Sequence, residues 1–283
     1  MGIPKIPLGV VGAAGIQWAT AHLAFLIQSF GNSVTALDQG VVYLLRLPPP
    51  PLLIILICAL TWRAGERGTA TFAALALSLI WNQGLWPATA TTLGLVFTAT
   101  VLSLCIAIPA GIAIDENKIL RIAITPMLDF LQTMPRFVYL IPAVIILGID
   151  VAPAVFATMT LAVVPPIRLT ATGLAEVDPA MIEAGKAMGC SRRQILTKIK
   201  LPLALPALML AVNQCIMMAL SMVVIAALVG TSGLGEEILK DIAELNAGKG
   251  LMAGFAVFTL AVILNRATSG LGQPRQSHRL RSP

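Results

Sequence analysis

Two long stretches of this chain carry no charged side chain, and they constrain the fold more than any other feature. Residues 68–114 contain no Asp, Glu, Lys or Arg, and neither do residues 201–235. Only 11% of the chain is charged and 57% is hydrophobic, whereas a soluble domain carries about 25% charged residues. A soluble helical core of this composition would have too few charges to cover its surface. The sequence therefore predicts an all-α integral membrane protein that crosses the bilayer several times.

The apolar segments predict about seven membrane-spanning helices, because one crossing of the hydrocarbon core takes about 20 mainly apolar residues. The predicted spans are residues 47–62, 69–81, 88–114, 122–148, 151–174, 203–230 and 251–267. Prolines lie at the entry to the first span. Pro126, Pro135 and Pro142 lie inside the fourth, where we expect a kink.

The ends of the chain differ from its middle in composition. Residues 1–47 are predicted to form an N-terminal amphipathic or re-entrant scaffold segment, residues 48–270 the transmembrane domain, and residues 271–283 a basic cytoplasmic tail. An additional span within residues 8–30 remains an alternative. A signal peptide ending near Ala19–Ala21 is less favoured, since a proline and several glycines interrupt its apolar part.

The basic residues are confined to every second loop, which sets the predicted orientation. Lys and Arg follow the first and third predicted spans, and they recur in residues 176–202 (the basic loop from here on) and in the C-terminal tail. The turns near 82–87 and 149–150 carry none, and residues 231–249 are net acidic. By the positive-inside rule, the basic loop and the C-terminus face the cytoplasm, and seven spans place the N-terminus outside. This alternation accounts for the net charge of +6 without any binding to nucleic acid.

The basic loop has the pattern of two short helices separated by a stop. Asp178 can cap a first helix whose first position is Pro179, and Gly189 is a typical helix C-terminus. Ser191, followed three residues later by Gln194, matches a capping box for a second helix. Small residues beside Glu183 would let a partner surface approach the first helix closely. A solvated basic loop would explain the charges, but not the caps, the stop and the small face together.

Six residues of the basic loop match a spacing that is typical of one family of membrane proteins. The matching residues are Glu183, Ala184, Gly189, Ile199, Leu201 and Pro202. In this register the loop resembles the cytoplasmic EAA loop of ATP-binding-cassette (ABC) importer permeases, with Gly185 in place of the second Ala. Residues 128–149 and 213–239 further resemble permeases of glycine betaine/proline-type uptake systems, and the resemblance runs from about residue 48 to residue 270. Arg136 departs from that pattern, in which a small residue is more usual.

The resemblance implies a type I ABC importer transmembrane domain in the inner membrane of a bacterium. The loop residues implied to couple to an ATPase are Glu183, Ala184, Gly185, Gly189, Ser191, Ile199, Leu201 and Pro202. The implied partners are a cytoplasmic ABC ATPase that holds ATP and Mg, an external substrate-binding protein, a second permease copy in a homodimer, and the lipid membrane. The implied substrates are osmoprotectants: glycine betaine, proline betaine, choline or proline.

The sequence shows no means of hydrolysing ATP. Gly230 and Gly235 have the spacing of P-loop glycines, but Glu236 and Glu237 stand where Lys and Ser or Thr are required. The two histidines lie at opposite ends of the chain, the four cysteines are scattered, and no metal-binding or catalytic spacing occurs. We therefore expect a transport subunit that is not an enzyme and that binds no cofactor or metal of its own.

Polar residues within the predicted spans are candidates for a transport path, since polar groups are costly to place in lipid. The candidates are Asp129, Thr133, Asn213, Gln214 and Ser221. Asp129 and Arg136 are seven residues apart, so we expect them to share a helix face and to pair across a kink near Pro135. The alternative is that these polar groups bond to neighbouring helices and serve packing.

Three other interpretations remain open. A secondary transporter of small zwitterions would carry an inverted repeat and acidic residues at the bilayer midplane, and neither is clear. A membrane-embedded enzyme would need a catalytic cluster, and an ABC importer permease for another small solute would share the basic loop. The aromatic content of 5% argues against an aromatic cage for a quaternary ammonium group within the membrane. It favours selection of the substrate by an external binding protein.

Overall fold

The computed structural model describes Ala14 and residues 17–18, 20–63 and 67–272, and throughout these ranges the chain forms helices joined by short turns. The helices are α1 (Ala24–Arg46), α2 (Pro50–Arg63), α3 (Arg67–Asn82), α4 (Trp86–Glu116), α5 (Lys118–Thr133), α6 (Leu140–Leu147), α7 (Val151–Ala162), α8 (Val164–Ala175), α9 (Pro179–Ala187), α10 (Arg192–Ile195), α11 (Leu201–Leu203), α12 (Leu205–Ser221), α13 (Val223–Ala227), α14 (Leu234–Ala243) and α15 (Ala247–Gly272). A 3₁₀ turn at Arg136–Tyr139 joins α5 to α6, and a π-helical turn at Leu196–Lys200 joins α10 to α11. The predicted all-α fold is confirmed for the described residues. Most of the stretch weighed as a signal peptide, which would end near Ala19–Ala21, lies outside them, as does the basic tail beyond Gly272.

Several helices of the described chain are long and apolar enough to cross a membrane. Three meet that condition as continuous helices: α4, α7 together with α8 as one end-to-end helix (Val151–Ala175), and α15 (Ala247–Ser269). Three further pairs meet it only when both members of a bent pair are counted together, which gives up to six spans in all among the described residues. The chain is thus a multi-pass membrane protein, and the count of seven stays a prediction.

The three bent pairs share a proline at or beside the bend. α1 and α2 meet at 94°, α5 and the segment Arg136–Leu147 at 109°, and the helices on either side of Ala204 at 68°. Proline has no backbone N–H to donate, and it pushes the preceding residue towards extended conformations. Met134, which precedes Pro135, accordingly has ψ of 139°. The predicted kink in the fourth span is therefore confirmed, and it is a full break in the helix.

Helix α1, which lies in the predicted N-terminal scaffold segment, packs against the helical bundle. Arg46 at its end donates a hydrogen bond from Nη2 to Thr91 Oγ1 on α4 (2.7 Å). Phe30 meets Phe156 of α7 edge-on, with 6.3 Å between the ring centroids. Val34 is buried in the same apolar cluster as residues of α4 and α7. These contacts tie α1 to the centre of the molecule.

Helix α4 is the central element, and it contacts α1, α7, α8 and α12. The contact with α8 is so close that a Cβ atom at Gly111 would lie 2.5 Å from Thr170 Cβ. Small residues allow such an approach between membrane helices, where dispersion contacts replace the hydrophobic effect as the main attraction. The basic loop connects α8 to α12, and both helices pack on α4. Its two ends are therefore anchored on the same central helix.

Candidate functional site

The first helix of the basic loop, α9, begins and ends as the sequence predicts. Asp178 Oδ1 accepts a hydrogen bond from Ala180 N (2.8 Å), and Pro179 occupies the first turn. Gly189 has φ of 78°, a left-handed conformation that costs glycine little and other residues more. The N–H of Gly189 bonds to Lys186 O, and that of Cys190 bonds to Gly185 O, at 2.9 and 3.0 Å. This pair of bonds is a Schellman motif, which satisfies the last carbonyl groups of the helix.

The predicted capping box at the start of the second helix is also confirmed. Ser191 N donates to Gln194 Oε1 (2.8 Å), while Gln194 N donates to Ser191 Oγ (3.3 Å). From α10 the chain stays helical through Leu196–Lys200 into α11. There Pro202 is exposed, and Leu201 packs beside a small apolar cluster. The second helix is thus one rod from Arg192 to Leu203.

The two helices of the basic loop are packed against each other through Gly185. Gly185 is buried, and a Cβ atom there would lie 2.5 Å from Ile199 Cδ1. The predicted small face is therefore split between solvent and the second helix. Ala180, Glu183 and Ala184 are exposed, whereas Gly185 packs against the second helix. Within the described chain Glu183 takes part in no ion pair.

An ion pair that sequence reasoning missed joins the basic loop to the end of α4. Lys200 Nζ donates to Asp115 Oδ2, and the two side chains are 18% and 6% exposed. Lys200 lies in the π-helical turn of the basic loop, while Asp115 lies in the last turn of α4. The partners are 85 positions apart, so no local pattern in the sequence could have paired them. The loop is therefore fixed to the central helix by charge as well as by chain connection.

The expected pairing of Asp129 with Arg136 is wrong. Asp129 on α5 forms its ion pair with Arg168 on α8. A seven-residue spacing brings two side chains to one face only while the helix continues, and α5 ends at Thr133. Beyond that point the chain turns by 109° at Pro135, so Arg136 points along a different axis.

Arg136 instead connects the break after α5 to the end of α12. Its Nη1 donates to Ser221 O (3.3 Å), and Ser221 is the last residue of α12. A cavity of about 330 Å³ lies beside this contact, and its lining residues are Gln132, Met134, Pro135, Arg136, Leu161 and Met218. Of the predicted path residues, the structure places Ser221 at this contact. Thr133 is exposed at the end of α5, and its hydroxyl donates to Phe130 O within its own helix.

The other two candidates on α12 have different surroundings. Asn213 is buried and donates from Nδ2 to Asn265 Oδ1 on α15 (2.8 Å), while Thr268 Oγ1 donates to Asn213 Oδ1 (3.0 Å). This network holds two helices together, which is the packing alternative. Gln214 is half-buried. It precedes Met218 by four residues and so lies on the helix face that lines the cavity.

A buried carboxylate on α1 also escaped the sequence reasoning. Asp38 is 3% exposed, and its Oδ1 would lie 3.4 Å from a Cβ atom placed at Gly94 of α4. Among the described residues this oxygen has no hydrogen-bond partner. Its burial depends on the packing of α1 against α4, and no local pattern in residues 1–47 indicates that contact.

The fold and the basic loop define a class, the membrane-embedded components of import systems. The chain belongs to the family described as binding-protein-dependent transport system inner membrane component, whose sequence profile matches residues 103–272. Members of this family are transport components rather than enzymes, and the predicted resemblance to ABC permeases is confirmed.

The individual relatives are more specific. The chain is 38% identical over 275 residues to the glycine betaine transport system permease protein OpuAB of Bacillus subtilis, which covers 97% of this chain and 98% of that protein. It is 37% identical over 272 residues to the glycine betaine/proline betaine transport system permease protein ProW of Escherichia coli, covering 96% and 77% respectively. The structure also resembles a chain of the inward-facing MetNI methionine ABC transporter, with a TM-score of 0.61, 22% identity, and coverage of 66% of this chain and 94% of that chain. This last likeness supports the fold of an ABC importer transmembrane domain.

Proposed function

We propose that this chain is the permease subunit of an ATP-driven importer of quaternary-ammonium osmoprotectants, with glycine betaine as its principal substrate class. The observation that carries the substrate class is the 38% identity over almost the whole length of both proteins to a glycine betaine permease. A secondary transporter is not favoured, because the family is defined by transport that depends on a binding protein.

The basic loop is the site that receives the energy of ATP hydrolysis. A separate cytoplasmic ATPase binds ATP and Mg, and its surface groove takes up α9. The exposed side of α9 presents Glu183 and Ala184 to that groove, and the carboxylate pairs with a basic group or a helix N-terminus of the ATPase. Gly185 and Ile199 serve the loop internally, since their contact makes the two helices move as one body.

The motion of the loop reaches the spans by two routes. The first is the helical rod that contains Leu201 and Pro202 and is joined to α12 through the 68° bend at Ala204. The second is the ion pair of Lys200 with Asp115, which leads into α4. Movement of α12 and α4 relative to the other helices alternately opens the path to the two sides of the membrane, and ATP binding shifts the populations of those states.

The charge distribution indicates which parts of the chain face each side of the membrane. The basic loop and the C-terminus face the cytoplasm, so the acidic segment at Glu236 and Glu237, in the first turn of α14, faces outwards. That segment docks the external binding protein. Two copies of the permease surround the path, and the chain itself binds neither nucleotide nor metal.

The test is reconstitution of the permease with its ATPase and binding protein in liposomes. We expect saturable, ATP-dependent uptake of radiolabelled glycine betaine, and loss of that uptake in Glu183→Ala. Glu176→Ala is the matched control, since Glu176 is an exposed carboxylate at the end of α8. Absence of ATP-dependent uptake of glycine betaine, proline betaine, choline and proline would disprove the function. Normal uptake and normal ATPase association in Glu183→Ala would disprove the coupling role alone.

A further inference from the structure

Three charged side chains lie within the candidate spans at and beside the α5–α6 break, where contact with lipid is costly. Asp129, Arg168 and Arg136 are all exposed or half-exposed, and all lie within candidate spans. Charged side chains within a membrane are costly unless they face the bundle interior or a water-filled cavity. Asp129 and Arg168 pair with each other, but Arg136 is in no ion pair among the described residues. We therefore infer that Arg136 borders water within the assembled transporter.

Two interrupted helices meet at Arg136. α5 ends just before Pro135, and α12 ends at Ser221, whose carbonyl oxygen accepts the hydrogen bond from Arg136 Nη1. Interrupted helices within a membrane leave backbone groups unpaired, and such breaks form the substrate and ion sites of many transporters. Here the break also holds a permanent cation, since arginine does not lose its charge in proteins.

Most of the N–H donors of the Arg136 guanidinium are available to a ligand. A guanidinium carries five N–H donors in a fixed fork, and among the described residues Ser221 O is the acceptor that its side chain meets. The adjoining cavity of about 330 Å³ is near the lower end of the range for small-ligand pockets, roughly 300 to 1,000 Å³. Gln132, on the same wall, adds an amide that can donate a further bond.

We propose that Arg136 binds the carboxylate of a zwitterionic substrate during its passage, at a site formed by the break after α5 and the end of α12. This proposal rests on the proposed function and names the group that recognises the substrate's anionic end. Arginine suits this task because its planar fork matches a carboxylate with two parallel hydrogen bonds. The trimethylammonium end then lies towards the carbonyl end of α12, where the helix dipole is negative. Arg136 is also the residue that departs from the pattern of the permeases the chain resembles.

The experiment measures protection of an engineered thiol by the ligand. Met218→Cys, in a background with Cys58, Cys105, Cys190 and Cys215 replaced by Ser or Ala, places a thiol in the cavity wall. The full permease–ATPase complex is labelled with a small maleimide in the presence of glycine betaine or choline. Both probes carry a trimethylammonium group, but only glycine betaine carries a carboxylate. We expect glycine betaine to slow labelling and choline at the same concentration to leave it unchanged.

Variants of Arg136 separate ligand binding from a structural role. In Arg136→Met the concentration of glycine betaine that gives half-protection should rise by roughly tenfold or more, because a charge-assisted bidentate bond is lost. Arg136→Lys keeps the charge but loses the planar pair of donors, so its half-protection concentration should lie between those of the parent and Arg136→Met. Arg121→Gln removes an exposed arginine near the start of α5, away from the cavity, and should match the parent. Protection that persists in Arg136→Met, equal protection by choline, or no protection by glycine betaine in the parent would each overturn the proposal.

Uptake by the parent complex separates this proposal from the function on which it rests. Normal ATP-dependent uptake of glycine betaine without thiol protection leaves the proposed function intact and removes the Arg136 site. Absence of uptake of any of the four osmoprotectants removes the function, whereas carboxylate-dependent protection would still show that Arg136 binds an anion.

Discussion

Breaking the ion pair between Lys200 and Asp115 should uncouple ATP hydrolysis from transport. Two opposite charges about 4 Å apart attract each other by about 4 kcal/mol at an effective dielectric constant of about 20. The Asp115 side chain is 6% exposed and the Lys200 side chain 18%, so solvent screens the pair only in part, but desolvation offsets some of the attraction. We take about 2 kcal/mol as the net contribution, which is a factor of about 30 in the population of the loop held on α4.

The perturbation is Lys200→Met or Asp115→Asn in the complete transporter. The assay measures uptake per ATP hydrolysed in liposomes, together with co-purification of the ATPase. We expect each single variant to lose roughly tenfold to thirtyfold in uptake per ATP while ATPase binding stays normal, because α9 is unchanged. Lys198→Met is the matched control, since Lys198 is exposed on the same turn.

The double variant tests whether the two residues act as one pair. Lys200→Met combined with Asp115→Asn should lose little more than either single change, since one interaction is removed in all three proteins. A coupling energy of about 2 kcal/mol is expected from this cycle. If the effects of the two single changes add within about 0.5 kcal/mol, or if uptake per ATP is unaffected, the inference that the pair carries motion to α4 is refuted.

Three further predictions concern the packing of the loop and of the bundle. Gly185→Leu should push α9 away from Ile199 and weaken ATPase co-purification, and Ile199→Ala in the same chain should restore it by making room; no restoration would show that the contact is not the cause. Ser191→Ala should cost about 1 kcal/mol of local stability through loss of the cap, measured as faster hydrogen exchange in the second loop helix, whereas Ser191→Thr should exchange as the parent does. Asn213→Leu should lower the thermal stability of the purified complex, because Asn265 loses its partner, and leave the ranking of substrates unchanged; a changed ranking would place Asn213 in the transport path.

The sequence was most informative where structure depends on neighbouring residues. Asp178, Gly189 and the Ser191–Gln194 pair act within a few positions of themselves, and the helix, stop and second helix that they predict are all present. The membrane character and the all-α fold could also be predicted, because long uncharged runs are typical of membrane-spanning helices, which satisfy their own backbone hydrogen bonds.

Contacts between distant helices could not be predicted in the same way. Asp129 had several possible cationic partners, and the spacing favoured Arg136 only on the assumption that α5 continues. Prolines indicated a bend, but one sequence gives no angle, and the bend of 109° decided the partner. Lys200 and Asp115 are likewise brought together only by the packing of α8 and α12 on α4.

The break between α5 and α6 has a mechanical consequence for the transport cycle. α5 has 16 residues and α6 has 8, so at 1.5 Å per residue they are about 24 and 12 Å long, and neither spans a hydrocarbon core of about 30 Å by itself. A rigid helix transmits displacement from one membrane surface to the other, but two short segments joined at Met134–Pro135 do not. The segments on the two sides of this joint can therefore tilt by different amounts, with Met134–Pro135 as the hinge between them.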